Sequence, residues 1–143
     1  MRKTPTLDSS HYSRARTVGL VTVFLWFLIG GIAHFALTDL ETLIVPPYIP
    51  WARAAVLVSG LFELVGATGL LWSGTRRASA WLLFMVTLAV TPVHIWMLQT
   101  AGDWNVPLWA LVARLPLQVG LLVLIVWSTN PSRTVPSRFY ADA

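Results

Sequence analysis

Five polar side chains lie inside long apolar stretches, where an ionisable or amide group is costly and is therefore a candidate for function. The five are His34, Glu63, His94, Arg114 and Gln118. Carboxylate and imidazole groups can move protons, whereas guanidinium and amide groups can donate hydrogen bonds to an anionic or carbonyl-bearing ligand. We therefore predict that these residues form a ligand-binding or proton-relay site, and we assign none of them a catalytic or metal-binding role.

The composition indicates which elements must position these residues. Of the 143 residues, 56% are hydrophobic and only 11% are charged, whereas a soluble domain carries about a quarter charged residues. A membrane-spanning helix needs about 20 apolar residues. Four stretches meet this requirement, and they are residues 17–37, 52–72, 78–98 and 108–127. The sequence therefore predicts an all-α fold, an integral membrane four-helix bundle.

The basic residues indicate the orientation of this bundle. Most of the ten Lys and Arg residues lie in an N-terminal arm (1–16), in the connection near Arg76, or in a C-terminal tail (128–143). By the positive-inside rule, both termini of the bundle domain (17–127) are cytoplasmic, and we expect a multi-pass protein of the bacterial inner membrane. The basic residues form no dense face with interleaved aromatics, so no nucleic-acid partner is expected. The lipid bilayer is the expected partner, and homo-oligomerisation stays open.

The connection between the first two predicted spans, residues 38–51, contains Pro46, Pro47 and Pro50. Proline interrupts helices, so we expect an irregular segment. Several of its residues are apolar and would be poorly placed in bulk water. We therefore predict that it lies as a cap over the outer end of the bundle.

Depth and helical spacing predict that the polar residues converge. At a rise of about 1.5 Å per residue, all five lie in the outer half of the bundle. Small residues surround Glu63 at helical spacing, which favours close approach of another helix. Arg114 and Gln118 share one helix face, so we expect an Arg114–Glu63 ion pair bridged by Gln118. Such a cluster could be a structural staple or could line a pocket that opens outward.

His34 and His94 lie at similar depths on different predicted spans, which is compatible with a bis-histidine haem b site. The alternatives are a metal site completed by Glu63, or simple hydrogen bonds to loop carbonyls. The chain has no cysteine, which excludes thiol redox chemistry and makes an iron–sulfur centre unexpected.

Two prolines lie within predicted spans near the polar residues. Pro92 and Pro116 each remove a helix hydrogen bond, which frees the carbonyls of Leu88 and Val112. We expect bent, locally open helices at these two positions.

Five short motifs occur in order along the chain. They are 31–35 (GIAHF), 44–50 (IVPPYIP), 59–66 (SGLFELVG), 91–97 (TPVHIWM) and 114–118 (RLPLQ). Together they resemble the DoxX-like family of small four-helix bacterial membrane proteins, over residues 30–127. The family pattern falls on four of the five polar residues and on Pro92. It departs at Pro92-Val93-His94, where the family commonly has Pro-Ala-Asn.

This resemblance implies a range of functions. Some DoxX-like proteins are subunits of thiosulfate:quinone oxidoreductase, and others associate with redox or detoxification proteins at the bacterial membrane. We therefore expect a redox-linked accessory subunit with an outer-half pocket for a small ligand such as a quinone. Its expected partner is a redox enzyme or another membrane subunit. The alternative is a non-catalytic scaffold or assembly factor in which Glu63, Arg114 and Gln118 are structural, and whether the chain is an enzyme stays open.

Overall fold

A computed structural model describes residues 14–130. The predicted arm (1–16) and tail (128–143) lie mostly outside the described residues. The elements in chain order are α1 (Arg14–Ala36), α2 (Thr38–Leu43), α3 (Ala52–Gly69), α4 (Arg76–Ala89), α5 (Thr91–Gln99), a 3₁₀ turn (Ala101–Asp103) and α6 (Leu108–Thr129).

The prediction of an all-helical chain with four long apolar segments is confirmed for residues 14–130. Helices α1, α3 and α6, together with the consecutive pair α4 and α5, are long and apolar enough to cross a membrane. No strand occurs between residues 14 and 130. The chain therefore has the helix lengths and the composition of a multi-pass membrane protein.

The long helices form a four-cornered bundle. Helix α1 packs against α3 and α6, and α4 packs against the same two helices from the opposite corner. Helix α2 lies against α3, and α5 lies against α6. We call the end that carries α2 and residues 44–51 the cap end, and the end that carries the connection 70–75 the base end.

The dry core of the bundle lies toward the base end. Seven buried apolar residues form it, and they are Val23, Phe27, Ala67, Leu70, Ala80, Leu83 and Ile125. Leu70 and Leu83 are fully buried. The five polar residues singled out by the sequence lie in the other half, whereas the buried polar side chains of the base half are the small hydroxyls of Ser79 and Ser128.

Two segments differ from the sequence-based expectation. Residues 38–51 are not wholly irregular, because Thr38–Leu43 forms α2 before the prolines begin; Asp39 and Glu41 in its first turn favour a helix N-terminus. The third predicted span is not one bent helix either. It is interrupted at Val90, and α5 begins with Pro92 in its first turn, where proline's fixed φ suits a helix start.

Candidate functional site

A cavity of about 670 Å³ lies among α1, α3, α4, α5 and α6 in the cap half of the bundle. All five polar residues singled out by the sequence line it. The remaining wall is mainly apolar and includes Trp26, Phe27, Val86 and Leu121. The volume and the mixture of apolar walls with a few polar groups are typical of small-molecule sites.

Close helix approach positions Glu63 at this cavity. Gly60 packs directly against α1, since a Cβ added there would lie 2.6 Å from His34 Cβ and 3.2 Å from the Gly31 carbonyl oxygen. Nearly two helical turns further along, Gly66 packs closely against the Leu83 side chain of α4. The expectation that this face of α3 admits close neighbours is confirmed. Glu63 lies between these two contacts and is directed into the bundle.

Glu63 pairs with His34. Its Oε1 lies 3.5 Å from His34 Nε2, and the residue is only 8% exposed. The second carboxylate oxygen, Oε2, is buried and has no hydrogen-bond partner among residues 14–130. It faces the backbone of α1 at Gly30, where an added Cβ would lie 2.8 Å away. Glu63 therefore contacts His34 through one carboxylate oxygen, while the other is buried against the backbone of α1.

Glu41 of α2 joins this pair, although the sequence pattern did not indicate it as a site residue. Glu41 Oε2 contacts His34 Nδ1, and Glu41 also lines the cavity. Its position seven residues after His34, which is two helical turns, is the feature of the sequence that could have indicated this contact. The prolines that follow concealed it, because they made the whole connection look irregular.

Gln118 of α6 forms hydrogen bonds to both sides of the interruption between α4 and α5. Its Nε2 donates to the Thr87 carbonyl at 2.5 Å and to Thr91 Oγ1 at 2.6 Å. A carbonyl can only accept, so Gln118 Oε1 is the atom that faces His94 Nδ1, at 2.7 Å. Nδ1 therefore carries the hydrogen, and Nε2 of a neutral His94 is left as an acceptor. The sequence predicted a freed carbonyl at Leu88, but the carbonyl that accepts from Gln118 belongs to Thr87, one residue earlier.

Arg114 does not form the expected ion pair with Glu63. Its Nη1 donates to Met97 Sδ at 2.9 Å, and no carboxylate of residues 14–130 lies within 4 Å of its guanidinium. Glu63 is instead paired across the cavity with α1, and Gln118 bonds to His94 and to α4 and α5. The ion pair was wrong because helix spacing predicts a shared depth but not which side chains face one another.

The described residues contain no group of three His, Asp or Glu side chains that could hold a metal ion. His34 and His94 both line the cavity, but each already has a partner. Both ring nitrogens of His34 face carboxylates, whereas His94 uses Nδ1 for Gln118. Within residues 14–130, Nε2 of His94 is thus the imidazole nitrogen of this site that is left as an acceptor.

Residues 44–51 lie over the cap end of the site. Ile44, Val45 and Ile49 line the cavity, Pro46 is fully buried, and Tyr48 makes an edge-to-face contact with Trp96 of α5. The predicted cap over one end of the bundle is thus present.

Comparison with known proteins places the chain in a family without adding a function. No curated protein and no solved structure gives a significant match. Residues 23–130 match the family described as a domain of unknown function (DUF8561), and this range contains every residue that lines the cavity. Since the match covers most of the 143 residues, the chain belongs to the DUF8561 family.

Proposed function

We propose that this protein is an integral membrane protein that binds a small amphiphilic ligand, such as a quinone headgroup, in the cap-half cavity, and that it serves as a redox-linked accessory subunit. The observation that carries the proposal is that all five polar residues of the spans line one cavity with mainly apolar walls. A structural staple alone does not need such a cavity.

Membrane insertion forms part of this proposal. Large apolar residues are exposed on the outer faces of the helices, including Val18, Ile29, Leu117 and Val123, each at least 60% exposed. A water-soluble monomer rarely exposes such extensive apolar surface, whereas a bilayer solvates it. With the positive-inside rule, the base end and both termini face the cytoplasm of a bacterial inner membrane, and the cap end faces outward.

Arg114 is the expected anchor for the ligand. A thioether is a weak acceptor, and a guanidinium in a partly apolar site gains much more from a charged or carbonyl oxygen. A ligand carbonyl would therefore compete well with Met97 Sδ for Arg114. Glu63, His34 and His94 would supply or accept the protons that accompany reduction or oxidation of a quinone.

The resemblance to the DoxX-like family supports the redox assignment and stays a prediction, because the family match is to DUF8561. The DoxX-like pattern falls on His34, Glu63, Arg114 and Gln118 but not on His94, and some proteins of that family associate with membrane redox enzymes. A partner enzyme of this kind is part of the proposal.

Titration of the purified protein in nanodiscs with a short-chain quinone analogue tests the proposal. Arg114→Gln should weaken binding about tenfold or more, since a hydrogen bond to a charged group is lost. Arg53→Gln is the matched control, because Arg53 pairs with Asp39 and does not line the cavity. Absence of binding, or equal binding by both variants, would refute the proposal.

A second candidate is a scaffold or assembly factor, and the saturated bonding of Gln118 favours it. All three polar contacts of its amide go to protein groups, as expected of a structural tie. On this reading Glu63→Gln lowers the yield of folded protein and changes no ligand affinity. A variant with full yield and weakened quinone binding would exclude it.

A further inference from the structure

We propose that Glu63, His34 and Glu41 form a proton path that links the buried carboxyl group at the cavity to the surface of the cap end. The inference rests on the proposed function for its purpose, since it serves a ligand that exchanges protons, but its test requires no ligand. Glu41 is the new functional residue that it assigns.

The geometry of His34 carries the inference. The imidazole lies between carboxylates from two other elements. Nε2 lies 3.5 Å from Glu63 Oε1 on α3, and the buried Nδ1 contacts Glu41 Oε2 on α2 without hydrogen-bond geometry. An imidazole can accept a proton at one nitrogen and release one from the other. This placement is that of a relay, because each ring nitrogen faces a separate carboxylate.

Burial gives the path its two ends. The side chain of Glu63 is 11% exposed, and its Oε2 is buried without a hydrogen-bond partner in the described part of the chain. The side chains of His34 and Glu41 are 20% and 21% exposed, and Glu41 lies further toward the cap end, on α2 beyond the end of the first long helix. A ligand that fills the cavity would exclude water from Glu63, so a route through side chains would keep the carboxyl in exchange with solvent.

The transfer from Glu63 to Glu41 balances when the His34 ring is neutral and one of the two carboxyl groups is protonated. The O–H bond of a protonated Glu63 breaks and its proton binds His34 Nε2, while the Nδ1–H bond breaks and that proton binds Glu41 Oε2. Glu63 is left as a carboxylate, His34 stays neutral, and Glu41 releases its proton to water. The reverse sequence delivers a proton from the surface to Glu63.

The other titratable groups around the path are engaged elsewhere among the described residues. Asp39 of α2 pairs with Arg53 of α3, His94 of α5 bonds to Gln118, and Arg114 of α6 bonds to Met97. None of these pairs interposes a group between Glu41 and His34 or between His34 and Glu63.

Time-resolved infrared spectroscopy after photolysis of a caged proton tests the path in the nanodisc-reconstituted protein. The carboxylic acid band of Glu63 is identified by its loss in Glu63→Gln. In Glu41→Gln this band should appear at a rate lower than in the wild type by about tenfold or more. Asp39→Asn on the same short helix is the control and should leave the rate unchanged. Circular dichroism establishes that each variant is folded.

Glu41→Asp covers the case in which Glu41→Gln does not fold, because it keeps the carboxylate but draws it back from His34, and it should slow the band to a smaller degree. Three results would overturn the inference: an unchanged rate in the Glu41 variants, which means that cavity water supplies the proton; equal slowing in Asp39→Asn; or no change of the Glu63 band in the wild type. Each of these leaves the quinone titration unaffected, so failure of the path and failure of the proposed function are distinguishable.

Discussion

Gln118 of α6 donates a 2.5 Å hydrogen bond to the backbone carbonyl of Thr87, three residues before the interruption between α4 and α5. This bond and the bond to Thr91 Oγ1 join α6 to both sides of Val90. The interruption is therefore held in place by a side chain from another helix, and the same amide orients His94 at the cavity.

Replacement of Gln118 by leucine should destabilise the fold. The change removes all three contacts and leaves the His94 Nδ1–H without Gln118 as its partner in a partly buried site. We expect a loss of about 2 kcal/mol in the free energy of unfolding, measured by SDS-induced unfolding in mixed micelles. Val119→Ala, at an exposed neighbouring position, is the control, and equal unfolding of the two variants would contradict the structural role of Gln118.

Alanine at Gly60 should force α1 and α3 apart. The new Cβ would lie 2.6 Å from His34 Cβ, which is not a flexible side-chain end, so the helices themselves must move. Overpacking of this kind costs about 1–3 kcal/mol. The matched control is Gly120→Ala in the middle of α6, where no atom lies within 4 Å of the new Cβ; helix propensity predicts a gain of up to about 1 kcal/mol there. Unfolding in micelles measures the free energy of unfolding of both variants. A change in the same direction for Gly60→Ala and Gly120→Ala would contradict the close packing of α1 against α3.

Trp51 should be replaceable by glycine but not by valine. It has a φ of 54° at the N-terminus of α3, a left-handed conformation that costs non-glycine residues about 1–2 kcal/mol, and its side chain is 83% exposed. We expect Trp51→Gly to match or exceed the wild-type stability in detergent. Trp51→Val should unfold more readily, because a β-branched residue disfavours positive φ. Equal thermal unfolding temperatures for Trp51→Gly and Trp51→Val would show that the backbone at position 51 carries no strain.

The proposed orientation is testable by single-cysteine labelling, since the natural chain contains no cysteine. Gly74 and Gly102 lie in connections at opposite ends of the bundle, and a Cβ at either position meets no atom of residues 14–130 within 4 Å. A membrane-impermeant maleimide applied to intact spheroplasts should label Gly102→Cys at once. It should label Gly74→Cys only after permeabilisation, and the reverse pattern would show that the orientation is inverted.

The number of long helices and the residues of the site could be predicted because they depend on one-dimensional properties. Runs of about 20 apolar residues set the number of candidate spans, and a polar group within such a run stands out against its neighbours. His34, Glu63, His94, Arg114 and Gln118 were identified in this way, and all five line the cavity.

The partners of these residues could not be predicted in the same way. Neighbouring positions of a helix differ by about 100°, so a small rotation about the axis decides whether Arg114 meets Glu63 or Met97. The role of Glu41 depends on a six-residue helix that forms only because α1 ends at Ala36 and the prolines begin after Leu43.

The sequence by itself therefore determined how many apolar helices the chain has and which polar groups they carry, because helix length and residue polarity are properties of the chain alone. Only the tertiary structure decided that Glu63 faces His34, that Glu41 completes this pair, and that Gln118 holds the interruption between α4 and α5. Those contacts depend on the rotation and mutual packing of separate helices, which side-chain volumes such as the missing Cβ of Gly60 control.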